Sequence, residues 1–297
     1  MSEHAAQPTP FASVAVLGPG LLGGSIAKAV QELMPQCELR LWARRLEPLE
    51  QARRLGITRH TCTDVQEAVR GAQLIILATP IGTFPSLVQS MLAAVHPDAL
   101  VTDVGSVKGI VHNTIGQLLA ESGHFFIGSH PMAGAEKQGL EHARAELLQG
   151  ATVALTNSQG APPELVMRLA AFWQALGCCT LEMEPTRHDG AVARISHMPH
   201  VLAALCARNA SCGGESPDDL HRLASTGFRD TTRVSSGNPS MWAEILLENA
   251  DAVQEALADC AADLHRFAAL LKAQDKAGIL AWLQQAKDAR ESVQRNA

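Results

Sequence analysis

Short apolar or alternating runs punctuate the first part of the chain at residues 13–17, 38–42, 74–78, 100–104, 125–127, 152–155 and 179–183. Between them lie longer stretches, such as 84–95, 107–119 and 163–176, in which apolar positions recur every three or four residues. Strand-length runs alternating with helix-period stretches predict an α/β fold, a largely parallel, doubly wound sheet of Rossmann-like type. After Glu184-Pro185 the short runs stop, and from Asp189 onward only helical spacing remains. The pattern divides the chain into a polar leader at 1–11, an α/β domain at 12–184 and an all-helical domain at 185–297. In the helical part Val253, Leu257, Cys260, Leu264, Phe267 and Leu271 follow alternating steps of four and three, an apolar seam along one helix. Such a seam needs a partner helix, either from the same domain or from a second copy in a twofold homodimer, and we favour the homodimer.

The run at 13–17 leads directly into Gly18-Pro19-Gly20-Leu21-Leu22-Gly23-Gly24-Ser25 and a helical stretch to about Met34. A GxGxxG set between a strand and a helix allows a tight turn, a close backbone approach and a helix N-terminus aimed at a pyrophosphate. Gly18, Gly20, Leu21, Leu22 and Gly23 are therefore expected to bind a dinucleotide, with Thr79 and Pro80 joining them after the run at 74–78. An acid about 20 residues past the glycines would bind the ribose 2′-OH of NAD. Ala43-Arg44-Arg45 stand there instead. Either the two guanidiniums grip the 2′-phosphate of NADP, which we favour over NAD, or they are solvated charges at a helix start.

Composition narrows the classes further. With 297 residues, 46% of them hydrophobic, the chain can build one large core or two ordinary ones. A formal net charge of −6 without a basic run argues against nucleic acid or an anionic membrane as partner. No stretch approaches the ~20 apolar residues of a membrane span, and residues 1–10 lack a signal peptide's apolar centre. A cytoplasmic protein is expected, with no ligand-sensing domain after the helical half. Seven cysteines without a CxxC pair write neither a disulfide framework nor a zinc site. Tyrosine is absent, which removes it from every catalytic role.

Candidate chemistry begins at Gly128-Ser129-His130-Pro131-Met132-Ala133-Gly134. The Pro and the glycines place His130 where a strand breaks into a loop, at the sheet edge where α/β proteins keep their chemistry. His130 is either a general base working near neutral pH or a solvated turn residue. Asp103-Val104-Gly105-Ser106-Val107-Lys108 ends a strand and opens a helix, which brings Ser106 near His130. Ser106 then either hydrogen-bonds the imidazole and a substrate hydroxyl or caps the helix; Lys108 reads as a solvated helix lysine. In Ser196-His197-Met198-Pro199-His200 two histidines share a helix face at i and i+3. With no third ligand to name, no metal is expected, and His197 and His200 are candidates for substrate contact or for the packed interior. The polar stretch Thr226-Gly227-Phe228-Arg229-Asp230-Thr231-Thr232-Arg233 offers Arg233 as a carboxylate fork, with Arg229 and Asp230 pairing as scaffold. Asn238-Pro239-Ser240-Met241-Trp242 opens a helix capped by Asn238 or Ser240, with Trp242 as core or pocket wall.

The ordered set GPGLLGGS, DVGSVKG, GSHPMAGAEKQG, His188-Asp189 followed by SHMPH, and FRDTTR followed by NPSMW resembles the prephenate/arogenate dehydrogenases of tyrosine biosynthesis, over roughly residues 14–283. The resemblance implies an N-terminal Rossmann-like domain, a C-terminal helical dimerisation domain and a small-molecule site in the cleft between them. It further implies oxidative decarboxylation of prephenate or arogenate with hydride transfer to NAD(P), giving 4-hydroxyphenylpyruvate or tyrosine. On this resemblance His130 is the catalytic histidine that takes the ring-hydroxyl proton, Ser106 orients it, and Arg233 binds a substrate carboxylate. His200 and His197 line the same pocket, Glu136 is the acid near the substrate, and Trp242 matches a tryptophan that the family can supply across the dimer. Two rival readings share the glycine loop: a 2- or 3-hydroxyacid dehydrogenase, which leaves His130, SHMPH and Arg233 without a joint task, and a non-catalytic NADP-binding sensor.

Overall fold

The computed structural model describes residues 9–135, 137–210 and 216–295. The chain separates into two compact units, the first ending at Asn249 and the second running from Ala250. In the first unit β1 (Ser13–Leu17) is wholly buried and pairs on either side with β2 (Glu38–Trp42) and β4 (Leu74–Leu77). With β3 (Thr61–Cys62), β5 (Leu100–Asp103) and β6 (Phe125–Phe126) they form a parallel sheet in the order β3-β2-β1-β4-β5-β6. The two-residue β3 is too short to leave a signal in the hydrophobic pattern.

The central strands read as unbroken apolar runs because both faces are covered. Val14, Val16, Leu74 and Ile76 pack on one side with Ile26 and Val30 of α1 (Leu21–Leu33) and with Phe172 and Trp173 of a later helix. Ala15, Leu17, Ile75 and Leu77 pack on the other side with Phe84, Leu87, Val88 and Met91. The strand order reverses between β1 and β4, and crevices outside strand carboxyl ends at such a point are where these sheets bind ligands.

The later runs do not extend the first sheet but form a second one, β7 (Gly128–Pro131), β8 (Thr152–Thr156) and β9 (Cys179–Glu182), with β7 antiparallel to β8 and β8 parallel to β9. Between β7 and β8 the described chain makes only short 3-10 turns at Leu140–His142 and Ala145–Leu148. A parallel return needs a crossover of a dozen or more residues, usually helical, whereas an antiparallel one does not. His130 accordingly lies on a strand, opposite Ala154, rather than in the loop that follows.

Intervening helices take the numbers α2 (Leu46–Arg54), α3 (Val65–Val69), α4 (Phe84–Met91), α5 (Gly109–Val111), α6 (Gln117–Glu121) and α7 (Pro163–Ala175). The first unit then continues through α8 (Pro185–Val192), a π-turn at Ala193–His197, α9 (Met198–Ala210), α10 (Pro217–Leu223), α11 (Thr226–Thr232), a 3-10 turn at Arg233–Ser236 and α12 (Pro239–Glu248). Pro199, which has no backbone N–H, falls in the first turn of α9, directly after the π-turn and Met198. The second unit consists of α13 (Ala250–Lys272) and α14 (Lys276–Arg295). Phe267 of the predicted seam meets Trp282 of α14, ring centroids 4.7 Å apart. Leu264, Leu271, Leu280 and Leu283 remain exposed on this pair.

Candidate active site

The glycine loop has the geometry a dinucleotide needs. Gly18 takes a φ of +112°, a conformation that side chains disfavour, and a Cβ there would lie 2.8 Å from the Ala78 carbonyl oxygen. A Cβ at Gly23 would fall 2.1 Å from the Gly18 carbonyl oxygen, so this glycine lets α1 close on the turn. At Gly20, by contrast, a Cβ would meet nothing within 4 Å. Gly20 also stands at the start of α1 without a side-chain cap, which leaves open space in front of free helix N–H groups. The residues present thus fit a pyrophosphate. Leu21 and Leu22 are half-buried beside it. Thr79 bonds Thr83 (Oγ1 to Oγ1, 2.8 Å), and Pro80 is exposed next to it. The Gly18 N–H donates to Trp42 O at 2.9 Å, tying the end of β2 to the loop. Arg44 and Arg45 follow that end with exposed side chains, Arg45 loosely paired with Glu47 at 3.7 Å.

Lys108 overturns its reading as a solvated lysine. It is fully buried and forms an ion pair and hydrogen bond with Asp103, itself fully buried at the end of β5. Its ammonium also donates to Ser129 O at 2.7 Å, and Asp103 accepts from the N–H groups of Gly105 at 2.8 Å and Ser129 at 3.2 Å. Burial pulls the lysine below its ordinary pKa, opposed by Asp103. Ser106 does not cap the helix, since Lys108 holds the N-cap position of α5, and among the described residues it has no hydrogen-bond partner. The free N–H groups at the start of α5 go instead to Asp189 of α8, Lys108 N to Oδ1 at 2.8 Å and Gly109 N to Oδ2 at 2.7 Å.

The same carboxylate opens a chain of imidazoles. Asp189 Oδ1 lies 2.8 Å from His188 Nδ1, and His188 Nε2 lies 2.8 Å from His130 Nδ1. A carboxylate only accepts, so His188 donates from Nδ1; in a neutral ring its Nε2 then accepts, and His130 donates from Nδ1. The lone pair of His130 is thereby left on Nε2. Burial first, then the charges of Lys108, His188 and His197, hold His130 well below the ordinary imidazole pKa, so the neutral ring prevails near neutrality.

A second branch orients His197. The Asn249 side-chain amide donates from Nδ2 to the Asp189 carbonyl oxygen at 2.9 Å and lies 3.1 Å from His197 Nδ1. Because that carbonyl requires the amide nitrogen, His197 accepts at Nδ1 and carries its hydrogen on Nε2. Burial lowers this imidazole to about 4. His200, 7% exposed, stacks on Trp242 with centroids 3.6 Å apart and planes 13° from parallel, and its buried Nδ1 has no partner. Trp242 thus packs as a wall on a histidine of its own chain. Asn238 caps α12 through Ser240 N at 2.9 Å. Arg233 starts the 3-10 turn that packs on α9 and is exposed. The expected ion pair between Arg229 and Asp230 does not form. Glu136 lies outside the described residues.

The structure thus gathers His130, His197, His200 and Trp242 around α8 and α9, and adds Lys108, Asp103, His188, Asp189 and Asn249, which motif reading had not assigned to the site. Among the described residues no group of His, Cys, Asp and Glu has the geometry to hold a metal.

The nucleotide-binding domain of prephenate dehydrogenase matches residues 26–181, and the dimerization domain of prephenate dehydrogenase matches residues 184–285. This chain belongs to the prephenate dehydrogenase family. It is 32% identical to the cyclohexadienyl dehydrogenase of Zymomonas mobilis over 95% of this chain and 96% of that one. The structure of prephenate dehydrogenase from A. aeolicus in complex with hydroxyphenyl propionate and NAD+ superposes with a TM-score of 0.87 at 27% identity, covering 95% of this chain and 98% of that one. Synechocystis arogenate dehydrogenase gives 0.82 at 31% identity, covering 95% and 99%. Membership makes the chain an oxidoreductase of this family with a nicotinamide cofactor, on a Rossmann-like domain followed by a helical one.

Proposed function

We propose that the chain oxidises and decarboxylates prephenate or arogenate, with His130 as general base and NADP as the preferred acceptor. The observation that carries the assignment is the His130-His188-Asp189 chain, which leaves a lone pair on the Nε2 of buried His130. Bound nicotinamide supplies a hydride acceptor at C4. The protein's own part is to orient the substrate and move one proton. His130 Nε2 takes the proton of the ring hydroxyl as the hydride leaves the same carbon. The resulting dienone loses its ring carboxylate as carbon dioxide; the electron pair of the breaking C–C bond enters the ring, and the former carbonyl oxygen regains a proton as a phenol. Aromaticity drives this second half, so proximity and one base suffice. The imidazolium formed on His130 is stabilised by donating to His188, which leans on the Asp189 carboxylate.

Arg233 supplies a planar cation for a substrate carboxylate, and the unpartnered Nδ1 of buried His200 offers a further polar contact beside the Trp242 wall. His197 completes that wall, Ser106 faces the substrate hydroxyl, and Glu136 reads the side chain that distinguishes prephenate from arogenate. Gly18, Gly20, Leu21, Leu22, Gly23, Thr79 and Pro80 hold the dinucleotide. The exposed Arg44 and Arg45 beside the glycine loop support a grip on the 2′-phosphate of NADP. The exposed leucines of α13 and α14 support a homodimer.

The test is absorbance at 340 nm with each acid paired with each cofactor. Turnover is expected with at least one acid, and faster with NADP than with NAD. Failure of both acids to reduce either cofactor, with NADP bound, overturns the proposal.

A further inference from the structure

We propose that Lys108 is a positioning residue for the base, fixing both the strand that carries His130 and the side of the imidazole that faces the substrate. The inference rests on the reading of His130 as the base. β7 is the outer strand of its sheet, so the Ser129 N–H and C=O, turned away from β8, need partners elsewhere. They find them in one ion pair: Asp103 accepts from Ser129 N at 3.2 Å, and the Lys108 ammonium donates to Ser129 O at 2.7 Å. That carbonyl is joined directly to the nitrogen of His130. From its other end, the Lys108 backbone N–H donates at 2.8 Å to Asp189 Oδ1, the oxygen that also takes the proton of His188 Nδ1. One residue thus reaches the backbone of His130 through Ser129 and its Nδ1 through Asp189 and His188.

A neutral amide pair would satisfy Ser129 equally well, and a buried ion pair is a poor source of stability because desolvation offsets the attraction. The charge has a second consequence. The charged and titratable groups facing His130 or Lys108 are Asp103 from β5, His112 just after α5, His188 and Asp189 from α8, His197 from the π-turn and Glu248 from α12. Glu136, on the loop after β7, lies outside the described residues. After burial, the Lys108 ammonium is the largest influence that disfavours a proton on His130. Removing that ammonium should make His130 easier to protonate, so the acid limb of kcat/KM should move to higher pH.

The experiment replaces the pair together, Lys108→Met with Asp103→Asn, so that no buried charge is orphaned, and follows thermal unfolding, NADP affinity and the pH profile of kcat/KM. The variant is expected to fold and bind NADP. Its acid limb should rise by about one pH unit, equivalent to about tenfold in kcat/KM below the limb. An unmoved limb, with kcat/KM lowered in proportion at every pH or not lowered at all, overturns the proposal. Should the variant fail to fold, the unsubstituted enzyme decides: its acid limb is expected well below the ordinary imidazole value of about 6.5, and a limb at or above that value contradicts the role. His130→Asn separates the two readings. Turnover retained there removes His130 as base, whereas turnover lost there with an unmoved limb in the Lys108 variant removes only Lys108.

Discussion

Asp189 fixes the protonation of two imidazoles because its oxygens only accept, and the hydrogens on His188 and His130 fall into place behind it. An amide at 189 can present a nitrogen to His188 Nδ1 and reverse both tautomers, moving the lone pair of His130 off Nε2. Asp189→Asn is therefore expected to lower kcat by about 10²–10⁴, the usual range for general-base assistance, while cofactor affinity stays within about threefold. Steady-state kinetics with a fluorescence titration of NADP would check this; a kcat within threefold of the parent would contradict it. At this scale the sequence exposed His130, His197, His200 and Trp242, because proline, glycine and motif order mark their positions. It concealed Lys108, which sits in a polar run and looks solvated until Asp103, five residues earlier, is seen to close on it. Asn249 left no trace, since its task depends on a helix end meeting α8.

Between β1 and α1 the spacing GxGxxG was legible because each glycine answers a different steric demand. Gly23→Ala places a Cβ 2.1 Å from the Gly18 carbonyl oxygen and must part helix from turn, whereas Gly20→Ala meets no protein atom within 4 Å. Both are expected to weaken NADP binding by about tenfold or more, since about 1.4 kcal/mol suffices for that factor. Only Gly23→Ala should also lower the melting temperature. Equal melting temperatures for the two variants would contradict the division of roles. The strands through β5, apart from the two-residue β3, could likewise be read from hydrophobic periodicity. The turn of the chain into a second sheet could not, because Ile127 alone separates Phe125-Phe126 of β6 from β7 (Gly128–Pro131) and no turn sequence marks the switch. What decides is the lack of a crossover helix before β8, a fact of pairing rather than of pattern.

Across the molecule, burial holds His112, His124, His130, His197 and His200 below the ordinary imidazole pKa, His197 at about 4. The unfolded chain binds protons on these groups first as pH falls, so stability is complete above about 6.5 and is lost progressively below it. Glu248, raised to about 7 by burial and Glu244, acts in the opposite sense but alone. The melting temperature is expected to drop by several degrees, on the scale of 2–4 °C per kcal/mol for domains of roughly this size, between pH 7 and pH 5. A melting temperature that rises on acidification would contradict the burial of these rings as neutral species. The change from α/β alternation to helices alone followed from the cessation of strand-length runs, while the first compact unit runs on to Asn249. The seam of α13 was visible as a need for a partner; α14 meets part of it through Phe267 and Trp282.

The proposed role of His130 is to remove the substrate proton with the lone pair on Nε2. Its most direct test compares His130→Asn with the parent in single-turnover reduction of NADP by the preferred acid. The rate is expected to fall by about 10²–10⁴ with NADP affinity unchanged, and a rate within a few-fold of the parent would contradict the assignment.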